Sequence, residues 1–382
     1  MKSITIKSIA AFFLLACSGF TNPVSEPAPV KDISFKDAFK GKFYIGVAIN
    51  RFQAMGRVED EAKLIKEQFS SISPENDLKW QMIHPQSDQY NFEPADAYVN
   101  FGKESDMFII GHTLVWHSQT PKWVFEDENG NPLTREALLK RMEDHIKTVV
   151  GRYKGVIKGW DVVNEALNED GTLRDSKWRK IIGDDYIEKA FEFAHAADPN
   201  AELYYNDYNM YKAEKRAGAV KLVEKLKAKG LRITAVGAQA HYSLENGTLQ
   251  EVEATIKDFI NAGVHVNFTE LDISVLPNGN AANSADVANS AEYKEELNPY
   301  TKGLPAEVQT KLADKYGNLF KLFVKYKKHI DRVTFWGLSD RTTWLNNFPI
   351  RGRTNYPLPF NRDLSVKKDV KEAILSAVQT SR

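Results

Sequence analysis

The chain reads as one α/β unit, a closed (β/α)8 TIM barrel, on three observations. Short apolar or β-branched runs alternate with stretches of helical periodicity along most of its length. The runs read as buried on both faces, as parallel strands covered by helices must be. No glycine-rich phosphate loop is present to favour an open dinucleotide-binding sheet. The 382 residues would also allow two ordinary domains. No second linker, low-complexity run or tandem repeat sets one off, so a single catalytic domain over 33–382 is the simplest account.

Eight runs qualify as strands: residues 43–49, 69–73, 107–115, 156–163, 201–206, 233–240, 265–273 and 332–337. Helical periodicity is clearest over 138–153, 186–197, 212–229, 249–262 and 306–326, each between two of the runs. In a barrel of this kind the chemistry sits where strands end.

Ahead of the barrel, Lys2 and Lys7 precede an apolar run from Ile9 to Ala16 that is too short to span a bilayer. Residues 1–20 therefore read as an export signal. Cys17 follows Leu14-Leu15-Ala16, which resembles the bacterial lipobox; cleavage before Cys17 would leave a lipid-modified cysteine and a membrane-attached protein at the cell surface or in the periplasm. The other reading is a plain signal peptide and a secreted protein. Residues 21–32, polar and proline-rich, read as a flexible tether. Cys17 is the only cysteine, so no intramolecular disulfide is available and stability must come from packing.

Lys+Arg and Asp+Glu both number 51, so no basic field exists to attract nucleic acid or anionic lipid, and a neutral substrate suits the balance. Aromatic residues, at 11%, suffice for both a core and sugar-stacking surfaces. Nothing points to an oligomer, so a monomer is expected, and no cofactor is implied. His112 and His117 could suggest a metal, but no third ligand stands at a recognisable spacing; hydrogen-bonding roles fit them better. Trp80 and Trp123 read equally well as packing or as sugar platforms.

Nearly every strand candidate finishes in carboxylates, amides, histidines or tryptophans, which a strand core does not need. The fourth ends in Trp160-Asp161-Val162-Val163-Asn164-Glu165-Ala166 and the seventh in Thr269-Glu270-Leu271-Asp272. Glutamates at the ends of strands four and seven would face each other across the barrel mouth. Glycoside hydrolysis needs such a pair, and a separation of roughly 5–5.5 Å would give retention of configuration.

These two segments resemble the acid/base and nucleophile signatures of glycoside hydrolase family 10, in which endo-β-1,4-xylanases predominate. The resemblance continues through Glu75-Asn76-Asp77-Leu78-Lys79-Trp80, Gly111-His112-Thr113-Leu114-Val115-Trp116-His117, Tyr205-Asn206-Asp207-Tyr208-Asn209, Gly237-Ala238-Gln239-Ala240-His241 and Phe335-Trp336-Gly337, over residues 34 to 380. It implies a retaining hydrolase acting on xylan and xylo-oligosaccharides, with Glu165 as general acid/base and Glu270 as nucleophile. By the same resemblance His241 hydrogen-bonds and orients the nucleophile, with Asp272 behind it, and Asn164 binds the sugar 2-hydroxyl at the reacting subsite. Glu75, Asn76, Lys79, His112, Trp116 and Gln119 match positions that grip the non-reducing-side sugars. Gln239 sits by the acid/base, Tyr208 stacks on the leaving-group side, and Trp336 and Trp344 wall the −1 region, where they would bar a hydroxymethyl group.

Two other readings stay open at this level. One is a cellulase or mixed-linkage glucanase on the same barrel, against which the tryptophan pair and the Lys79/His112 set argue. The other is a sugar-capturing surface lipoprotein that does not cut, which would be expected to lack one of the two carboxylates. Residues 277–302, rich in asparagine and alanine, read as a long loop after strand seven.

Overall fold

The computed structural model describes residues 33–277 and 294–379. The expected leader, Cys17, the tether, and residues 278–293 of the long loop lie outside the described residues.

Eight parallel strands form a closed barrel: β1 Tyr44–Ile49, β2 Ser71–Pro74, β3 Phe108–Trp116, β4 Gly159–Asn164, β5 Glu202–Asp207, β6 Ala235–Ala238, β7 His265–Ser274 and β8 Arg332–Phe335. Each strand pairs with its neighbours in sequence order. The ring closes where Tyr44 of β1 stands opposite Arg332 of β8, and Phe268 of β7 opposite Val333. A three-residue strand, His241–Ser243, continues the chain beyond β6 and pairs with the outer half of β7, His241 opposite Asp272. That extra pairing ties a histidine to the strand that carries Glu270.

The strands are buried along most of their length because helices cover the outside and side chains fill the inside. Close approach inside the barrel requires small residues at set points. A Cβ on Gly111 would fall 2.0 Å from the Trp160 ring, and one on Gly237 would fall 2.3 Å from Oδ1 of Asn206. Gly237 thereby makes room for the Asn206 amide, which bonds both Asn164 and Glu270.

The five helices expected from periodicity are present as Arg135–Arg152, Tyr186–Ala197, Ala213–Ala228, Leu249–Asn261 and Ala306–Lys325. Thr134 caps the first by accepting from the Ala137 N–H, and Thr248 with Glu251 makes a capping box on the fourth. Among the described residues, three further helices of ten residues or more, Glu59–Gln68, Glu93–Glu104 and Lys368–Gln379, complete the outer layer and are not among the expected elements. Glu59–Gln68 buries only Glu61, Ala62 and Ile65, too thin an apolar stripe to read in a charged segment. Glu93–Glu104 carries Pro94 in its first turn and Gly102 against Ile109, both of which weaken a helical pattern. On the outside, buried Phe35 contacts Phe69, Phe335 and Phe360, with ring centroids about 6 Å apart. Truncating such a buried ring costs about 3–5 kcal/mol.

Candidate active site

The strand ends gather the expected polar residues around one cavity of about 190 Å³. Glu75, Asn76 and Lys79 reach it from the exit of β2, and His112, Trp116 and Gln119 from β3 and its loop. Asn164 and Glu165 come from β4, Gln239 and His241 from the exit of β6, Glu270 from β7, and Trp336 and Trp344 from the chain after β8. Among the described residues, six non-glycine residues adopt positive φ. Four of these, Gln119, Glu165, Asn209 and Ala240, belong to strand exits on this side of the barrel. Each costs of order 1 kcal/mol and persists only where surrounding contacts impose it.

Glu165 is 4% exposed. Its Oε2 accepts from Nε1 of Trp116 at 2.8 Å and its Oε1 from Nε2 of Gln239 at 3.0 Å. Burial, followed by the charges of Asp207 and Glu270, outweighs these two neutral donors and pushes the carboxyl up to about 7. Near neutral pH it holds a proton much of the time.

Glu270 is 5% exposed and has a different set of partners. Nε2 of His241 lies 3.2 Å from its Oε2, and Nδ2 of Asn206 donates to its Oε1 at 2.9 Å. Burial alone would raise this carboxyl; the hydrogen bond from His241 and the surrounding positive charge win, and hold it below the usual range. His241 is also buried, but Asp272, 3.1 Å from its Nδ1, and Glu270 outweigh that and raise it to about 10. Asp272 also accepts from Nε1 of Trp344 at 2.8 Å. It stands behind His241 and does not line the cavity.

One amide network joins the two carboxyls. Asn206 donates to Oδ1 of Asn164 at 2.9 Å and to Glu270, while Gln239 donates to the same Oδ1 at 3.3 Å and to Glu165. Oδ1 of Asn164 is therefore occupied, and its amide N–H groups are left to face the cavity. On the β2 side, Lys79 donates to Oδ1 of Asn76 at 3.1 Å and sits 5.0 Å from the centre of the Trp116 ring. Burial lowers the Lys79 ammonium, an effect opposed by Glu270, Glu75 and Glu165.

Tyr208 departs from expectation. It is 2% exposed, its hydroxyl accepts from Arg174 at 2.7 Å, and Nζ of Lys215 sits 3.3 Å from its ring centre. The ring covers a buried lysine and offers no face for stacking a sugar. Trp80 is core, stacked 3.6 Å from His145, while the indole N–H of Trp123 donates to the Pro85 carbonyl. Among the described residues, no group of three or more His, Cys, Asp or Glu is placed to hold a metal. Asn206, Asp207, Arg174 and Trp178, whose Nε1 donates to the Trp116 carbonyl at 2.9 Å, received no role from sequence. For Asn206 a signal existed: the two-residue repeat of β5 sets it on the same face as Tyr204, inside the barrel.

A groove that keeps one carboxyl protonated and its neighbour ionised, between indoles and amides suited to neutral hydroxyls, defines the class as a glycoside hydrolase. The chain belongs to glycosyl hydrolase family 10, whose model matches residues 34–377. It is 48% identical to an endo-1,4-beta-xylanase A of Xylanibacter ruminicola over 89% of this chain and 92% of that protein. It also superimposes on a family 10 endoxylanase from a sugarcane soil metagenome with a TM-score of 0.88 and 44% identity, covering 90% of this chain and 99% of that one. A third relative, a mutant solved in complex with xylotriose, aligns with a TM-score of 0.80 and 37% identity, over 90% and 99% of the two chains.

Proposed function

We propose that this chain is an endo-1,4-β-xylanase that cleaves internal bonds of xylan with retention, Glu165 serving as acid/base and Glu270 as nucleophile. The observation that carries this reading is that two equally buried glutamates line one cavity with contrasting partners, the neutral donors of Trp116 and Gln239 on Glu165 and the His241 imidazole with Asn206 on Glu270. In the first step an ionised Glu270 oxygen bonds to the anomeric carbon as the glycosidic bond breaks, and Glu165 passes its proton to the departing sugar oxygen. In the second, Glu165, now a carboxylate, takes a proton from water. The water oxygen bonds to the anomeric carbon and Glu270 leaves. His241 and Asp272 aim the nucleophile, the free amide N–H of Asn164 meets the 2-hydroxyl, and Glu75, Asn76, Lys79, His112, Trp116 and Gln119 hold the non-reducing-side sugars. Trp336 and Trp344 exclude a hydroxymethyl group and so favour xylose over glucose. Relatives of matching length named as xylanases support the substrate.

Product analysis tests this. Protein lacking residues 1–20 should release short xylo-oligosaccharides from xylan and nothing from carboxymethylcellulose, and Glu270→Ala or Glu165→Ala should abolish release. Cleavage of cellulose alone would overturn the substrate; no cleavage of either would leave a binding protein. Residues 1–17 support export with lipidation of Cys17, and a Cys17→Ala chain that still partitions with membranes would remove that part.

A further inference from the structure

The buried ion pair behind the acid/base has no part in the mechanism so far. Asp207, at the end of β5, and Lys215, on helix Ala213–Ala228, are both fully buried, with Nζ 2.9 Å from Oδ1. The same carboxylate accepts from the backbone N–H of Tyr208 at 2.9 Å, from that of Leu167 at 3.3 Å, and from the hydroxyl of Tyr205. Burial pushes the Asp207 carboxyl upward, and Lys215 together with the other donors opposes that by favouring the carboxylate.

These contacts reach Glu165 through the backbone. The N–H of Glu165 donates to the Asn206 carbonyl at 2.9 Å, that of Ala166 to the Tyr205 hydroxyl at 3.1 Å, and that of Leu167 to Asp207. Three successive peptide groups thus hang from three successive residues of β5, and Glu165 sits at the head of that turn with φ 56°.

We propose that Asp207, paired from behind with Lys215, is a positioning residue for the acid/base: it fixes the turn that carries Glu165 and supplies a negative charge beside it that remains when Glu270 is esterified. The inference rests on Glu165 being the acid/base. Formation of the glycosyl-enzyme removes the charge of Glu270 but not that of Asp207, the larger of the two influences on Glu165. The fall in Glu165 proton affinity between the two steps is therefore held to a fraction of what losing every negative neighbour would cause. The charged and titratable groups facing this pair are Arg174 and Tyr186 on the Asp207 side and Glu169, 3.2 Å from Nζ of Lys215, on the other. Facing Glu165 itself are Glu270 and Lys79.

The test compares pH profiles of kcat/KM on xylan and on a 2,4-dinitrophenyl xylobioside, whose leaving group departs without a proton. The chains are wild type, Asp207→Asn, Asp207→Asn with Lys215→Met, and Glu165→Gln. The double variant avoids stranding a buried lysine, so a fold is available if the single one fails. Both Asp207 variants should move the alkaline limb down by about one pH unit and lower xylan turnover at pH 7 by roughly tenfold, with less than about a threefold change on the dinitrophenyl substrate. An unmoved limb, or equal losses on the two substrates, would overturn the inference and leave Asp207 purely structural. Glu165→Gln should lose xylan cleavage and keep the first step on the dinitrophenyl substrate. If it does not, the acid/base assignment itself fails, independently of Asp207.

Discussion

The ends of β4 and β7 offer the same residue at the same depth, Glu165 and Glu270 being 4% and 5% exposed, yet their protons behave oppositely. Burial pushes both upward. The difference lies in the partners: neutral donors and negative neighbours around Glu165, a cation backed by Asp272 for Glu270. Much of that difference is supplied by the exit of β6 alone. Gln239 serves Glu165 and His241 serves Glu270, and Ala240 between them takes a φ of 64°, which turns the chain so that two residues two positions apart reach two different carboxyls. Acid and nucleophile are thus distinguished by a turn on a strand that carries neither.

The comparison breaks most completely at His241. His241→Gln keeps a hydrogen-bond donor but removes the cation, so the Glu270 carboxyl rises toward the range burial alone would give it. The acidic limb of kcat/KM should then move to higher pH, and kcat/KM at pH 6 should fall by about a hundredfold; an acidic limb that stays in place would show that His241 only orients. A smaller effect is expected from Gly237→Ala. The new Cβ would displace Asn206, which bonds both Asn164 and Glu270, and should cost about 1–3 kcal/mol of stability and roughly tenfold in kcat, with little change in KM. Denaturant melts and saturation curves on xylan would read both. Gln239→Leu should do least. It removes a donor that favours the Glu165 carboxylate, so the alkaline limb should move upward by less than about one unit, with a few-fold loss of rate. A downward shift would contradict the roles given to the two exits.

Barrel architecture was legible because each strand combines an apolar run with a polar exit, a pattern short enough to survive in a single sequence. Glu59–Gln68 and Glu93–Glu104 were not, since a helix that buries three residues, or one with a proline in its first turn, leaves little periodicity to read. At the site, residues facing the cavity could be named from their motifs, whereas residues acting from behind could not. Tyr208 and Asp207 are adjacent in one motif, and sequence reading assigned a sugar contact to the tyrosine and nothing to the aspartate. Only the position of Lys215, eight residues on and folded back beneath the ring, reverses those roles. Charge pairs of that kind depend on helix placement, which strand-end motifs do not encode.

The left-handed conformation of Glu165 also bears on how this chain would respond to selection. A side chain with a Cβ resists that region by of order 1 kcal/mol, and glycine does not. Glu165→Gly and Glu165→Ala both remove the carboxyl, and the glycine variant should melt about a degree or two above the alanine one, the interval being the backbone strain less glycine's greater unfolded-state entropy. Selection for heat resistance alone would thus favour glycine over alanine in place of Glu165, and demand for catalysis keeps there a side chain whose own backbone resists the conformation.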